Sequence, residues 1–353
     1  MKKAATTLSL FIATLVATFA PSPARAGIPL GGMTVAISPD GKTLVAGGDT
    51  RTLVIMDPET LEVKDRVWIE TTITDLAFSK DGATLLVGDS AARVLTFKTA
   101  DWSKKAVLEK RDRLAVAQQA DLFAALEEDY NNGPSIFFHA VSDNGVKGSL
   151  RFAKGDRIVG FGMNPEGTKV AILFGDKADP SEKKLEYKDI PKDLKEPERS
   201  TFQQQNDGKM ARVVFAEVPS GKILADHKTF YTTSACKVLF NGDKACLSTL
   251  SGPQAMVDQD GKVELFLLPQ YGYGMGASPD HKLLVSGGMG QYCLTPLSPI
   301  APVSGTSSKL PGFPEYFKGF ATNNEGPIYA ATTGYRVMRI ARNGNVEKEA
   351  PIK

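Results

Sequence analysis

The residues that most often carry catalysis or hold metal ions are scarce in this sequence. It contains three histidines, His139, His227 and His281, and none has a second histidine or a cysteine at the spacing used by metal sites. His281 occupies the glycine position of a turn, where we expect it to be solvated. The sequence lacks the motifs C-x-x-C-H, H-E-x-x-H and G-x-S-x-G. No motif therefore indicates covalent haem attachment, zinc-dependent hydrolysis or a serine nucleophile. We expect no bound metal, no cofactor and no nucleophilic catalysis.

Carboxylates are the other possible source of chemistry. Asp49, Asp89 and the acidic run 127–129 each follow the second strand of a predicted sheet. Oxygen ligands that collect at such a place can bind Ca²⁺. The aspartates can equally cap the turns that follow them, because a short carboxylate accepts hydrogen bonds from nearby backbone N–H groups. The sequence leaves both interpretations open.

The elements that position these residues repeat along the chain. Residues 33–48 read as a strand, a Ser38-Pro-Asp-Gly41 turn and a second strand that ends on glycines. The same phrase returns in residues 73–89 and 273–288. A period of about 40 residues is typical of propellers and solenoids, in which each repeat is one small sheet or helical unit.

The repeat predicts an all-β, seven-bladed β-propeller with four-stranded antiparallel blades over residues 27–353. The predicted blade openings are Met33, Ile73, Leu114, Ile158, Cys236, Gly274 and Phe317. A lone four-stranded sheet leaves apolar faces that only neighbouring sheets can cover, and a closed ring removes the exposed ends. The interval after Ile158 is nearly double the others and includes residues 176–210, which are crowded with Lys, Glu and Asp. We interpret this segment as a charged insertion in blade 4, with an eighth blade as the alternative.

The first 26 residues have the pattern of a secretory signal peptide: a basic start, an apolar run and an Ala-x-Ala site that ends at Ala26. We therefore expect a periplasmic protein without a membrane span after cleavage. The formal net charge of +2 includes the basic residues of this leader, so the mature chain is close to neutral. Near-neutrality argues against a nucleic-acid partner, which would call for a basic stripe.

Cysteine usage does not indicate a disulfide framework. The sequence has three cysteines, Cys236, Cys246 and Cys293. Cys236 and Cys246 lie on consecutive predicted strands and could form one bridge in an oxidising compartment. They could also be free buried thiols, and the sequence does not decide between these states.

The recurring S-P-D-G-K-x-L phrase and the stretch Asp57-Pro-Glu-Thr-Leu-Glu-Val63 resemble the WD40 and YVTN superfamily of β-propellers. The Gly-His and Trp-Asp pairs of strict WD40 repeats are missing, so an exported, bacterial, YVTN-like propeller is the nearer description. The resemblance implies that the loops between second and third strands, and those between blades, gather on one face, here called the top face. Trp68 lies in one of these inter-blade loops. The binding residues predicted on this face are Arg51, Arg93, Tyr130, Asn131, Tyr271, Tyr273, Tyr292, Tyr335 and Arg336.

This arginine and tyrosine set points to protein binding, because both residue types are enriched at interface hot spots. We expect a non-enzymatic scaffold that binds a protein partner in the periplasm or cell envelope. In the simpler interpretation the arginines pair with carboxylates of neighbouring blades and the tyrosines pack between blades. Two further functions stay open: a Ca²⁺-dependent hydrolase resembling propeller lactonases, and a propeller subunit of a periplasmic redox complex resembling the heavy subunits of amine dehydrogenases.

Overall fold

The computed structural model describes residues 32–175, 193, 211–229, 238–247, 254–266, 274–297, 306–310 and 313–352. Within these ranges, 28 β-strands form seven sheets, each of four strands in chain order. The predicted seven-bladed β-propeller is therefore confirmed. No helix in the described ranges is long and apolar enough to cross a bilayer. The leader and, apart from Asp193, the segment 176–210 lie outside the described residues.

Blades 1 and 2 contain β1 (Met33–Ile37), β2 (Leu44–Gly48), β3 (Thr52–Met56), β4 (Val63–Trp68), β5 (Ile73–Phe78), β6 (Thr84–Asp89), β7 (Arg93–Lys98) and β8 (Lys104–Glu109). Blades 3 and 4 contain β9 (Asp112–Val116), β10 (Leu122–Glu127), β11 (Ser135–Ala140), β12 (Val146–Arg151), β13 (Ile158–Met163), β14 (Lys169–Phe174), β15 (Ala211–Glu217) and β16 (Ile223–Thr229). Blades 5 and 6 contain β17 (Val238–Asn241), β18 (Lys244–Leu247), β19 (Gln254–Val257), β20 (Val263–Phe266), β21 (Gly274–Ala277), β22 (Leu283–Gly288), β23 (Gln291–Pro296) and β24 (Thr306–Lys309). Blade 7 contains β25 (Phe317–Thr322), β26 (Ile328–Thr332), β27 (Arg336–Ile340) and β28 (Val346–Pro351).

Most of the predicted blade openings are the first residues of the first strands of their blades, and one opening is clearly shifted. Blade 3 opens at Asp112 instead of Leu114, because β9 bulges where it pairs with β10 and so runs further back. Cys236 lies outside the described residues, and β17 begins at Val238. Since β14 and β15 pair directly, residues 176–210 connect the second and third strands of blade 4.

The core consists of apolar layers between the blades. The central strands of each blade bury both faces, so β2 reads as a continuous apolar run instead of an alternating one. Leu44 and Ala46 face one neighbouring blade and Val45 faces the other. Among the described residues, seven apolar clusters serve the seven blade boundaries, and representative pairs are Leu53 with Leu85, Leu86 with Phe123, Phe138 with Ile172, Phe215 with Phe240, Cys246 with Leu284, Tyr292 with Ile328, and Val337 with Leu44. Fully burying one such aliphatic or aromatic side chain contributes about 1.5–3 kcal/mol.

The ring closes between the last and the first blade without exchanging a strand, since β1–β4 and β25–β28 are each complete in the sequence. Tyr329 and Val337 of blade 7 pack against Val35 of blade 1. The side-chain amide of Asn323 donates a hydrogen bond to the carbonyl of Ser38 at 3.2 Å. Closure therefore depends on face-to-face packing, which is the interaction that also joins every other pair of blades.

The repeated Ser-x-Asp turn is fixed by its own side chains. In blade 2 the hydroxyl of Ser79 donates to Asp81 at 2.6 Å, and the same carboxylate accepts the backbone N–H of Ala83 at 3.0 Å. The hydroxyl oxygen of Ser79 accepts the N–H of Thr84 at 3.0 Å. Ser38 and Asp40 repeat these contacts in blade 1. The hydrogen bonds to Asp81 hold its pKa below the usual range, and the bond from the Ser79 hydroxyl has the largest effect.

We predict that stability falls in acid below about pH 4, in part through these turns. The unfolded chain takes up protons on Asp81 at a higher pH than the folded chain does, so lowering the pH favours unfolding. Replacing Ser79 by alanine removes the main donor, moves the pKa of Asp81 back towards its ordinary value, and should make the loss between pH 5 and 3 shallower, by about a few tenths of a kcal/mol. Urea unfolding across this pH range measures the slope. Ser90→Ala, at an exposed position, is the control and should keep the wild-type slope.

Candidate functional site

The top face is built from a repeated turn between the second and third strands. In four blades the last residue of this turn has left-handed backbone geometry, namely Arg51 (φ 57°), Ala92 (φ 55°), Gly290 (φ 60°) and Tyr335 (φ 57°). The carbonyl of each of these residues accepts a backbone N–H from the chain that leaves the fourth strand, as Arg51 does from Ile69 at 2.8 Å. The left-handed geometry of Arg51 and Tyr335 is therefore a property of the repeat. The side chain of Arg51 is exposed.

Arg93 is engaged within its own blade. Its Nε and Nη2 donate to Asp89 Oδ2 at 2.9 and 2.7 Å, and the hydroxyl of Thr71 donates to the same oxygen at 2.7 Å. Asp89 Oδ1 accepts the backbone N–H groups of Ala91 and Arg93, each at 3.0 Å. The carboxylate of Asp89 is fully buried, and its hydrogen bonds raise the pKa of Arg93. This network fixes the top of blade 2 and leaves no oxygen of Asp89 for a calcium ion.

Arg336 is held in a similar way at the top of blade 7. Its Nε donates to Glu315 Oε1 at 2.8 Å, and Glu315 Oε2 accepts the hydroxyl of Thr332 at 2.5 Å. Glu315 belongs to the connection from blade 6 and is buried, while Glu349 pairs with Arg336 on the exposed side at 3.3 Å. Arg93 and Arg336 are thus both paired with carboxylates, as in the simpler interpretation, but Asp89 belongs to the same blade as Arg93 and not to a neighbouring one.

The predicted tyrosines divide between the core and the surface. Tyr292 is fully buried, its hydroxyl donates to the carbonyl of Gly344 at 2.7 Å, and its ring meets Phe317 edge-on at 5.3 Å. It packs between blades 6 and 7 and has no surface to offer a partner, which corrects its placement on the top face. Tyr335 is half-buried against the cluster between blades 7 and 1. Tyr271 and Tyr273 lie outside the described residues.

Tyr130 is the predicted residue that the structure presents most openly. Its side chain is 85% exposed at the tip of the loop between β10 and β11. The loop is shaped by Asp129, whose Oδ1 accepts the N–H groups of Asn131 and Asn132 at 2.9 and 3.1 Å. Asn132 also donates its side-chain amide to Asp129 Oδ2 at 2.8 Å. These bonds, led by the one from the Asn132 side chain, lower the pKa of Asp129.

Tyr130 stands at the rim of a cleft between blades 3 and 4. The cleft has a volume of about 400 Å³ and is lined by Arg113, Glu128, Asp129, Tyr130, Pro134, Gly155, Asp156, Arg157, Ile158 and Val159. Gly155, in the connection between the two blades, has φ 88° and no atom within 4 Å of its absent Cβ, so this wall is open. A smaller cavity of about 160 Å³ lies between blades 7 and 1 on the opposite face. The top cleft is the larger of these two.

Arg113 joins the two walls of this cleft, and the sequence pattern does not reveal it. It is the extra residue of the β9 bulge and has a left-handed backbone, φ 48°, which is unusual for a long side chain. Its guanidinium donates to the carbonyls of Val159 and Ile158 at 3.0 and 3.1 Å, and to Glu128 at 3.0 Å. The bulge thus directs an arginine from the innermost strand of blade 3 onto the innermost strand of blade 4.

The charged segment 176–210 begins next to this cleft. The backbone N–H of Gly175, the last described residue before it, donates to the carbonyl of Arg157 at 2.8 Å. A Cβ on Gly175 would lie 2.5 Å from the guanidinium of Arg157. The insertion therefore leaves blade 4 at the wall that carries Arg157.

The histidines are structural. His281 is 8% exposed and its Nδ1 lies 2.5 Å from the carbonyl of Phe240, so the expectation that it is solvated is wrong. The reason is that the turn of blade 6 packs onto blade 5, and burial lowers the pKa of the imidazole. His139 and His227 also hydrogen-bond backbone carbonyls, at 3.0 and 2.7 Å. Among the described residues no group of three or more His, Cys, Asp or Glu side chains is placed to hold a metal ion.

Cys246 and Cys293 are free, buried cysteines. Burial raises the pKa of the Cys246 thiol to about 12 and also raises that of Cys293. Both are therefore in the unreactive thiol form at neutral pH. Cys246 belongs to the apolar cluster between blades 5 and 6, where it contributes to packing.

Comparisons with known proteins give the fold and no family. No protein-family model matches the sequence, and no curated protein matches it. Among solved structures, a chain of the hydrazine synthase of Kuenenia stuttgartiensis is similar, with a TM-score of 0.63 and 15% sequence identity over 91% of this chain and 99% of that chain. Because 1637 chains of solved structures match, the likeness does not select a function. It shows that the chain has the architecture of a β-propeller.

Proposed function

We propose that this chain is an exported, non-catalytic β-propeller that binds a protein partner in the cell envelope through its top-face loops. The observation that carries the proposal is the exposed Tyr130 beside a cleft of about 400 Å³. A large aromatic side chain that is almost wholly exposed at the rim of a concave site is a typical anchor of protein interfaces. Arg51 and Asn131 of the predicted set are exposed on the same face.

The rigid blades support a binding role for these loops. Each loop connects strands whose backbones are paired and whose side chains are buried, so the loop ends are already fixed. Binding a partner then orders mainly the contact side chains, and little conformational entropy is lost. The export predicted from residues 1–26 would bring the partner and the propeller together in the envelope. The charged insertion 176–210, which leaves blade 4 beside the cleft, would add contacts to the same partner.

Site-specific photo-crosslinking tests the proposal. A photo-reactive residue replaces Tyr130 or Trp68 on the top face, or Val146 or Ile223 on outermost strands, all of which are exposed. We expect one protein to be captured from both top positions, and none from the outer strands, when the variants are made in the source cells. Capture from Val146 and Ile223 with equal yield, or no capture at any position, would contradict binding through the top face.

A second candidate, which the sequence leaves open, is a propeller subunit of a periplasmic redox complex; the likeness to a chain of a hydrazine synthase is compatible with it through the fold alone. In that case the crosslinked partner should carry a redox group. Visible absorbance and mass spectrometry of the captured complex separate the two functions. A captured partner without a chromophore would contradict the redox function and be consistent with the scaffold function.

A further inference from the structure

The blade 3 wall of the top cleft combines an exposed ring with a fixed negative charge. Tyr130 is 85% exposed, and the neighbouring Asp129 is held in its turn by three hydrogen bonds from Asn131 and Asn132. All three bonds come from neutral N–H donors, and none of the ion pairs between described residues includes Asp129. This carboxylate therefore keeps its charge and faces solvent beside the phenol ring.

The other charges at this wall are largely neutralised within the fold. Arg113 pairs with Glu128 and Asp112 and also donates to two backbone carbonyls, so its positive charge does not dominate the cleft. The side chain of Asp156 is 9% exposed and lies 3.5 Å from the guanidinium of Arg212. Arg157 lies on the opposite wall, against Gly175. Arg151 also acts electrostatically on Asp129, while its Nε donates to the hydroxyl oxygen of Ser135 at 3.1 Å. The charged group adjacent to Tyr130 in the chain is the carboxylate of Asp129.

We propose that the top cleft binds a lysine or arginine side chain of the protein partner, with the ring of Tyr130 as its aromatic face and Asp129 as its counter-ion. This inference rests on the proposed function and adds the chemistry of the partner. A cation over a tyrosine ring is attracted by the negative face of its π-system, and a nearby carboxylate supplies the opposite charge.

Titration calorimetry of the full-length protein with a blocked arginine–glycine repeat peptide tests the chemistry. The citrulline–glycine counterpart has the same shape without the charge, and we expect it to bind at least about tenfold more weakly. Tyr130→Ala and Asp129→Asn should each weaken binding of the arginine peptide by about fivefold to tenfold. Asparagine supports the same turn at position 129, so that variant should keep the fold.

Two variants serve as controls for this titration. Tyr130→Phe keeps the aromatic face and should bind as the wild type does. Trp68→Ala removes another exposed aromatic residue of the top face, 63% exposed and on blade 1, and should also leave binding unchanged. Binding should weaken as salt is added, because exposed charges are screened.

The inference is overturned if the arginine peptide does not bind, if the citrulline peptide binds equally well, or if Tyr130→Ala has no effect. These outcomes differ from failure of the proposed function. A protein crosslinked through position 130 together with a negative peptide titration would keep the scaffold and reject the basic ligand. A positive titration without a crosslinked protein would keep the basic-ligand site and reject the protein partner.

Discussion

Gly162→Ala should lower the free energy of unfolding by about 2–3 kcal/mol, because the innermost strands of blades 4 and 5 approach at this point to backbone contact. A Cβ at position 162 would stand 1.9 Å from the carbonyl oxygen of Val238 and 2.7 Å from its carbon. Neither atom belongs to a flexible side chain, so β13 and β17 must separate to admit the methyl group. Alanine restricts the unfolded chain and recovers about 0.4–1 kcal/mol, which is smaller than the cost of the separation.

The same contact recurs at other boundaries with different spacing, which provides a graded test. A Cβ would lie 2.5 Å from the carbonyl oxygen of Phe320 at Gly276, and 2.9 Å from the Cα of Thr34 at Gly319. We expect the loss of stability on substitution by alanine to decrease in the order Gly162, Gly276, Gly319. The order follows the space at the inner ring, where the blades converge.

Urea unfolding followed by tryptophan fluorescence measures these differences. Gly326→Ala is the matched control, because its nearest neighbour, the Cβ of Asn323, would be at an ordinary 3.7 Å. It should change the free energy of unfolding by less than about 0.5 kcal/mol. If Gly162→Ala is as stable as this control, the two inner strands do not touch as described.

The fold could be predicted from the sequence because its signal repeats. The turn that begins at Ser38 returns at Ser79 and Ser278, and each copy lies between two β-forming runs. One such phrase is weak evidence, but several at a regular interval leave few architectures that bury all the strands. The structure adds the reason for the phrase, which is that serine and aspartate close the turn through their side chains.

The direction of individual side chains could not be predicted in the same way. Tyr292 is the second residue of a third strand, and both faces of such a strand are buried, so alternation does not separate core from surface. His281 was expected in solvent from the role of glycine at that turn, although in the ring this turn packs on the preceding blade. A local pattern contains no information on which blade lies alongside.

Arg113 shows the same limit at the candidate site. Its side chain reaches blade 4 only because a bulge adds one residue to β9 and turns the backbone to φ 48°. Bulges depend on how two strands pair, and arginine carries no preference for them. The exposed Tyr130 could be predicted because it lies in a polar loop between two clear strands, but the cleft beside it requires the packing of two blades.

Asp89→Ala is the second substitution with a large expected effect, a loss of about 3 kcal/mol in the free energy of unfolding. The carboxylate is fully buried and serves a guanidinium, a hydroxyl and two backbone N–H groups. Its removal takes the acceptor from the hydroxyl of Thr71 and from two backbone N–H groups, and leaves the guanidinium of Arg93 the hydroxyl oxygen of Thr71 at 3.3 Å. A buried donor without an acceptor costs about 1–3 kcal/mol. Because the side chain of Arg93 is 20% exposed, water can replace part of its lost hydrogen bonding. The expected loss of about 3 kcal/mol is therefore at the lower end of the range for a broken buried ion pair.

A double-mutant cycle separates this network from the loss of a side chain alone. Arg93→Ala should also destabilise the fold, and the double variant should lose less than the sum of the two single variants, because no charge is then left buried without its partner. Asp49→Ala is the control: Asp49 follows the second strand of blade 1, and its exposed carboxylate accepts, among the described residues, the N–H of Gly32 at 2.6 Å. Additive losses in the cycle, or equal losses for Asp49→Ala and Asp89→Ala, would show that the top of blade 2 is held by apolar packing and not by this ion pair.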